Sequence, residues 1–149
     1  MARQMTGGCQ CGRVRYVAEV EHEEAYLCHC RMCQRATGGV SVAFKNLPRT
    51  AVQWESGREA DWYQSSPIAR RPFCSRCGTV LGFAYLEGPN IDLTIGSFDE
   101  PGYFRPVYHF GAESMHEAWL DTSNLPRYRS DENEALVERW MTSVGKLPG

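Results

Sequence analysis

Seven cysteines carry most of the chemistry that this 149-residue sequence offers, and all of them fall into three short clusters. The clusters are Cys9-Gln-Cys11, Cys28-His-Cys30-Arg-Met-Cys33 and Cys74-Ser-Arg-Cys77. Thiolates two or three residues apart can reach one ion from a single turn, and zinc takes four such ligands in tetrahedral geometry. The spacing therefore predicts metal binding. Disulfides are disfavoured in a reducing compartment, and no complete set of intrachain disulfides uses up an odd count.

Two of the clusters together provide the four ligands of a closed site. Cys9 and Cys11 with Cys74 and Cys77 would form a four-thiolate zinc site that joins the N-terminal hairpin to the middle of the chain. A site with all four positions filled by protein is structural. We expect the loss of its zinc to loosen or unfold the domain.

The remaining cluster supplies three thiolates, Cys28, Cys30 and Cys33, and leaves a fourth position for water or substrate. A three-ligand zinc with an open position is the catalytic arrangement. The alternative is a second structural zinc closed by a histidine, with three candidates: His29, His109 and His116. A thiol–disulfide pair at Cys30-x-x-Cys33 is a weaker alternative, because the βαβ context of such pairs is absent.

An open three-thiolate zinc is already a net anion and therefore activates water poorly. We hypothesise that it accepts a substrate thiol as its fourth ligand, because soft thiolates suit zinc and binding ionises the thiol. This indicates a reaction of a sulfur nucleophile rather than a hydrolysis.

The elements that must position these clusters are mostly short strands. Residues 13–20 alternate polar and apolar with period two, and turn-separated strand signals follow at 40–44, 51–54, 61–64, 79–86, 91–95 and 106–110. Helices are predicted over Arg31–Thr37, ended by Gly38-Gly39, and over 132–143, with Asp131 as N-cap and an apolar face that packs in the core. The length fits a single domain, residues 1–149, of mainly β structure.

The sequence also resembles a known family in three strings that carry the cysteines. These are Gly7-Gly-Cys-Gln-Cys-Gly-Arg-Val-Arg-Tyr16, Cys28-His-Cys-Arg-Met-Cys33 and Phe73-Cys-Ser-Arg-Cys-Gly-Thr-Val-Leu81. They resemble the glutathione-dependent formaldehyde-activating enzyme family, which includes centromere protein V. Shorter similarities continue through Gly96-Ser-Phe-Asp99, Pro106-Val-Tyr-His-Phe110, Trp119-Leu-Asp and Leu125-Pro-Arg-Tyr128. The resemblance therefore covers nearly the whole chain.

The resemblance implies a β-tent fold of packed antiparallel sheets, with one short helix near the open cluster and a C-terminal helix. It implies two zinc ions, structural at Cys9, Cys11, Cys74 and Cys77 and catalytic at Cys28, Cys30 and Cys33. The implied activity is that of a carbon–sulfur lyase of the S-(hydroxymethyl)glutathione synthase type, which adds glutathione or a similar thiol to formaldehyde. The alternative is a non-catalytic zinc-stabilised binding or scaffold module, or a thiol or metal sensor.

Glutathione as co-substrate would require positive groups near the open cluster, because it carries two carboxylates. Four arginines are candidates for clamping a carboxylate: Arg31, Arg35, Arg70 and Arg71. The alternative for each is an arginine on a solvated face. His109 and His116 are candidates for a proton shuttle, although we favour an interior structural role for both.

Charge and hydropathy restrict the partners. The net charge of −2 and the pI near 6.1 provide no basic field for nucleic acid. No apolar stretch reaches membrane-spanning length and the N-terminus lacks a signal peptide, so we expect a cytoplasmic protein that does not bind membranes. The expected partners are a small thiol and a small aldehyde, with homodimerisation through exposed strand edges as a general expectation.

Overall fold

The computed structural model describes residues 1–149 and shows a mainly β protein with two α-helices, as predicted. The chain divides into two compact units, Met1–His116 and Glu117–Gly149. All the strands and one helix lie in the first unit, and the second helix lies in the second. Folding of the whole chain as one domain stays a prediction. Among the helices, none is both long enough and apolar enough to cross a membrane.

The first unit contains ten strands and a helix. The strands are β1 (Arg3–Gly8), β2 (Arg15–Val20), β3 (Glu24–Cys28), β4 (Val42–Pro48), β5 (Val52–Trp54), β6 (Asp61–Ser66), β7 (Ala69–Phe73), β8 (Gly82–Tyr85), β9 (Asn90–Thr94) and β10 (Arg105–Phe110). Helix α1 spans Arg31–Thr37.

The strands form two sheets, one of three strands in the order β1-β2-β5 and one of seven in the order β10-β3-β4-β9-β8-β7-β6. All pairs are antiparallel except β10 with β3, which are parallel. The sheets are thus antiparallel as predicted, apart from this one pair at the edge. The chain passes through β4 to β9 before β10 joins β3, and a connection of that length allows either orientation.

The main core takes its side chains from both sheets. In β2 the buried residues Tyr16, Ala18 and Val20 alternate with more exposed ones, as the period-two pattern predicted. The Tyr16 ring meets Trp54 and Phe98 edge to face, with centroids 5.6 and 5.5 Å away, and its hydroxyl lies 2.8 Å from Ser97 Oγ. This buried aromatic cluster fixes the position of the three-stranded sheet within the unit.

The seven-stranded sheet has two different faces. Alternate residues such as Leu47, Ala84 and Leu93 enter the main core. Their neighbours Phe44 and Phe83 lie on the other face, where they line a separate cavity. Because successive side chains of a strand point to opposite faces, the register that buries the core also determines which residues form this cavity.

The sequence pattern did not predict three of the strands, β1, β3 and β7. Strand β3 begins at the last residue of the acidic run 21–24, and β7 reads Ala-Arg-Arg-Pro-Phe, so both lack the apolar alternation that indicates a strand. Tertiary pairing forms them despite this local sequence.

Both predicted helices form, with a correction in the second unit. Helix α1 spans the predicted residues and ends at Gly38, whose φ of 76° is left-handed. Helix α2 (Glu134–Val144) begins later than predicted, because the side chain of Asn133, and not Asp131, accepts the Leu136 amide as N-cap. No α2 residue is buried, and the packing of its apolar face in the core stays a prediction. The second unit offers no element of comparable size to cover that face.

Candidate metal centres and active-site cavity

The four-cysteine cluster forms where two turns meet. Cys9 and Cys11 follow β1, Cys74 and Cys77 follow β7, and their Sγ atoms all lie within 4.8 Å of one another. The Sγ atoms of Cys9 and Cys11 are 3.5 Å apart, and those of Cys11 and Cys74 are 3.8 Å apart. Tetrahedral zinc with bonds of about 2.3 Å places its sulfur ligands about 3.8 Å apart, so this donor set fits zinc.

Both turns have the same backbone design. Gly12 and Gly78 each have φ of 81°, and their amides donate to the carbonyls of Cys9 and Cys74 at 3.2 and 2.7 Å. Such positive φ values favour glycine. Hydrogen bonding from the Thr79 hydroxyl, 3.2 Å from Cys77 Sγ, lowers the pKa of Cys77 to about 5. The turn therefore favours the thiolate form that a metal requires.

The three-cysteine cluster forms where β3 meets α1. Cys28 ends β3, Cys30 is the N-cap of α1 and Cys33 lies in the first turn of that helix. The Cys33 amide donates to Cys30 Sγ at 3.3 Å, and the Cys28 and Cys33 Sγ atoms are 3.4 Å apart. Their separations also suit three corners of a zinc tetrahedron.

Arg71 sets the charge of the three-cysteine cluster. It is only 1% exposed, and its Nη2 donates to Cys33 Sγ at 3.3 Å. The hydrogen bond from the Cys28 thiol, and then that from Arg71, lower the pKa of Cys33 to about 5. The same Cys28–Cys33 contact and burial raise the pKa of Cys28. A buried cation thus offsets part of the negative charge of the cluster.

A cavity of about 330 Å³ opens next to the three-cysteine cluster. Cys28, Cys30 and Cys33 line it together with Arg71, and half of the remaining lining residues are aromatic. In contrast, none of the four cysteines of the other cluster lines this cavity, and only their neighbours Gly78 and Thr79 line a second one. The three-cysteine cluster is thus the one placed to meet a small molecule.

Asp92 is a candidate functional residue that sequence reasoning missed. It lines the same cavity, and its Oδ1 accepts the Tyr26 hydroxyl at 2.9 Å and Asn46 Nδ2 at 3.0 Å. Its Oδ2 makes no hydrogen bond to the protein. Burial raises the pKa of Asp92, although these two hydrogen bonds oppose the shift. Asp92 is the one acidic residue of the otherwise apolar predicted strand 91–95, and this was the available clue. A half-buried strand rarely places a carboxylate inside without a partner.

The histidines do not close the three-cysteine cluster. The group of mutually close ligand atoms contains the three thiols and no histidine nitrogen. His29 is buried, and its Nε2 lies 2.9 Å from Nδ1 of His109, so these two rings pair with each other. The geometry leaves the fourth position open. His109 lies in the predicted strand but is exposed, so the expected interior role is wrong for it.

Of the four candidate arginines, only Arg71 lines the cavity. Arg70, the next residue along β7, faces the other way, with its guanidinium 4.3 Å from the Trp62 ring centroid. Arg31 and Arg35 are exposed on α1, and Arg31 hydrogen-bonds the side chain of Gln34. Binding of glutathione carboxylates by these outer arginines stays a prediction.

Replacement of Gly111 by alanine is expected to weaken the three-cysteine site. Gly111 has φ of 68°, and a Cβ there would lie 2.8 Å from the Cys30 amide nitrogen. We expect a loss of about 1–3 kcal/mol in unfolding free energy from the left-handed backbone alone, and a fall in zinc content from displacement of Cys30. Urea unfolding and elemental analysis would measure both.

The matched control is Gly57→Ala. Gly57 has φ of 76°, but its Cβ would meet no atom within 4 Å. It should lose similar stability and keep all its zinc. Full zinc content in Gly111→Ala would contradict the proposed contact with the cluster.

Comparisons with known proteins agree with this arrangement. The family model described as glutathione-dependent formaldehyde-activating enzyme matches residues 4–114. An uncharacterized lyase of Schizosaccharomyces pombe is 33% identical over 84 residues, which are 56% of this chain and 60% of the lyase. The chain thus matches less than two thirds of the length of that curated relative. A crystal structure of a Rhodobacter sphaeroides protein is similar with a TM-score of 0.57 and 21% identity, covering 70% of this chain and 99% of the other. That likeness shows the fold alone.

Proposed function

This chain belongs to the glutathione-dependent formaldehyde-activating enzyme family, and from that premise we propose that it is a carbon–sulfur lyase-like enzyme that joins a thiol to a small aldehyde. The lyase name of the yeast relative agrees with this reaction class. The observation that carries the proposal is that an open three-thiolate cluster and an incompletely paired carboxylate, Asp92, line one cavity.

Cys28, Cys30 and Cys33 would hold the catalytic zinc. When bound there, zinc supplies a soft fourth coordination position at which a thiol loses its proton near neutral pH. Arg71 holds the Cys33 sulfur as a thiolate and keeps this cluster from carrying its full negative charge into the cavity.

Asp92 is suited to move the proton. Its Oδ1 is fixed by Tyr26 and Asn46, which leaves Oδ2 free to accept the proton of the incoming thiol. The thiol sulfur then forms a bond to the aldehyde carbon, the carbonyl π electrons move to oxygen, and Asp92 returns the proton to that oxygen. The adduct is a hemithioacetal, and the reverse sequence is the lyase reaction. A carboxyl with a raised pKa suits both directions of transfer.

The proposal is tested by the rate of adduct formation with purified protein. Zinc per chain is measured first, on protein prepared without chelator or affinity metal, and about two ions are expected. Glutathione with formaldehyde is the first pair to assay, by NMR exchange spectroscopy against the uncatalysed rate. Two zinc ions with no acceleration for any thiol and aldehyde pair would reject the enzyme in favour of a binding module. A content near one would leave the three-cysteine cluster without its metal and remove the basis of the proposal.

Replacement of Asp92 by asparagine is expected to lower kcat/KM by about 100-fold or more, the usual contribution of a positioned acid–base group. In the wild type, the carboxylate form accepts the proton, so kcat/KM should fall as the pH drops through the raised pKa of Asp92. Asp92→Asn should lack this acid limb. Asp121→Asn makes the same chemical change at an exposed position whose side chain contacts only Ser123, and should have no effect.

The same variant separates catalysis from stability. Because the folded-state pKa of Asp92 lies above its unfolded value, its stabilising contribution is present at low pH and is lost as the pH rises through the folded pKa. At neutral pH, asparagine keeps an oxygen acceptor for Tyr26 and Asn46 without a buried charge. Its unfolding free energy should therefore be no lower than that of the wild type. A destabilised Asp92→Asn with unchanged kcat/KM would assign Asp92 a structural role only.

A further inference from the structure

The cavity beside the three-cysteine cluster is larger and more apolar than formaldehyde requires. Its volume of about 330 Å³ is in the range of sites for drug-sized ligands. Four aromatic side chains of its lining come from strands of the seven-stranded sheet: Tyr26, Phe44, Phe83 and Tyr108. The Tyr26 and Tyr108 rings stack with centroids 5.1 Å apart and an interplanar angle of 1°. This wall is therefore a preformed apolar surface.

The reactive and apolar parts of the cavity are arranged by depth. Cys28, Cys33 and Asp92 are only 3%, 4% and 8% exposed. Tyr108, by contrast, is 53% exposed and Ile68 is 64% exposed, and both line the same cavity. Large apolar side chains that stay exposed around one concave opening mark a ligand site. A ligand would thus place its polar reacting end at the floor and its apolar part at the mouth.

The charges that line the cavity do not suit the two carboxylates of glutathione. Arg71 is the one cation in the lining; its Nη2 already donates to Cys33, and its buried Nη1 has no hydrogen-bond partner. Asp92 adds a carboxyl group that would repel an anion. The Arg71 Nη1 could pair with one carboxylate at most, and a second carboxylate brought into an apolar site without a partner costs far more free energy than an apolar group of the same size.

From these observations we infer that the cavity takes a substrate with an uncharged aromatic or branched apolar body and one polar reacting end. This inference rests on the proposed function for the identity of the reacting end, which is the thiol and aldehyde carbon of a hemithioacetal. The apolar body is carried by either the thiol or the aldehyde, and the assay distinguishes the two. The bond changes are those of the proposed reaction, so no further reactant is needed.

Three substrate pairs test the inference with the zinc-loaded protein. They are phenylmethanethiol with formaldehyde, glutathione with phenylacetaldehyde, and glutathione with formaldehyde as the reference. At least one of the first two is expected to exceed the reference in kcat/KM by about 10-fold or more, the lower end of what one methylene contributes in an apolar pocket. The faster pair identifies which reactant carries the body. The highest kcat/KM for the reference would overturn the inference and leave the proposed function in place.

A binding measurement tests the cavity without turnover. The probes are 2-phenylethanol, which has the apolar body and no thiol, and S-methylglutathione, which has the charges and no free thiol. We expect 2-phenylethanol to bind at least 10-fold more tightly by calorimetry or tyrosine fluorescence. The binding measurement tests the inference even if no substrate pair turns over. Absence of turnover would reject the proposed function alone. Equal or tighter binding of S-methylglutathione would overturn the inference about the substrate body.

A charge placed at the mouth should reverse the preference. Ile68 lies in the turn between β6 and β7 with an exposed side chain, so Ile68→Lys does not disturb the core. It should weaken 2-phenylethanol binding and strengthen S-methylglutathione binding, each by several-fold. Val107→Lys is the matched control, because Val107 is 53% exposed on β10 and does not line the cavity. The same shift in both variants would mean that overall charge, and not the cavity, determines the preference.

Discussion

Cys30→Ser is expected to abolish turnover and to reduce the zinc content from about two ions per chain to about one, while the protein stays folded. Loss of a partner that only supports a metal ligand already costs about 10–100-fold in affinity or activity. Loss of a ligand itself should therefore lower kcat/KM by more than about 100-fold. The four-cysteine cluster is untouched by this change, since its thiols come from the turns after β1 and β7 and not from α1.

Serine is a suitable replacement because Cys30 also caps α1. Its Sγ accepts the Cys33 amide at 3.3 Å, and serine is a preferred N-cap that accepts the same hydrogen bond. The helix should therefore keep its first turn, and loss of activity can be assigned to loss of the thiolate. Circular dichroism, urea unfolding and zinc analysis on the same preparation provide the check. Unchanged turnover with every thiol and aldehyde pair would reject the catalytic role of the cluster.

Cys30→Ser should leave the fold intact, whereas Cys11→Ser is expected to unfold or strongly destabilise the protein. The Cys11 side chain is exposed, so the substitution removes almost no packing, and its effect must come through the metal. Structural zinc contributes an apparent binding free energy of about 10–16 kcal/mol in zinc-finger peptides. Loss of one of four ligands should therefore lower the unfolding free energy by several kcal/mol, a large part of the roughly 5–15 kcal/mol that a domain has.

The measurement is urea unfolding of Cys11→Ser and wild type, with and without a strong chelator. Chelator should bring the wild type close to the variant and change the variant little. The four-cysteine cluster ties the β1–β2 hairpin of one sheet to the β7–β8 connection of the other, so the whole first unit should lose cooperativity. A variant as stable as Cys30→Ser would mean that the cluster does not stabilise the fold.

The sequence alone predicted which cysteines come together as candidate metal ligands. A pair of cysteines two or three residues apart reaches one ion through local backbone geometry, so spacing predicts ligands without knowledge of the fold. Local backbone geometry also explains why the bounds of helix α1 were predicted correctly, since Gly38 ends the helix through a left-handed turn. The division into four and three ligands followed from counting, and the structure brings the same two groups together.

Only the tertiary structure decided what surrounds the three-cysteine cluster. Arg70 and Arg71 are neighbours of the same type, and the register of β7 between β6 and β8 alone sends Arg71 to the cavity and Arg70 to Trp62. Asp92 lies in β9 and Tyr26 in β3. These two strands flank β4 in the sheet, so the two side chains can meet across it. Local propensity cannot encode such pairings. They are fixed by which face of a strand the core buries, and a shift of one residue would exchange every side chain of the cavity for one of the core.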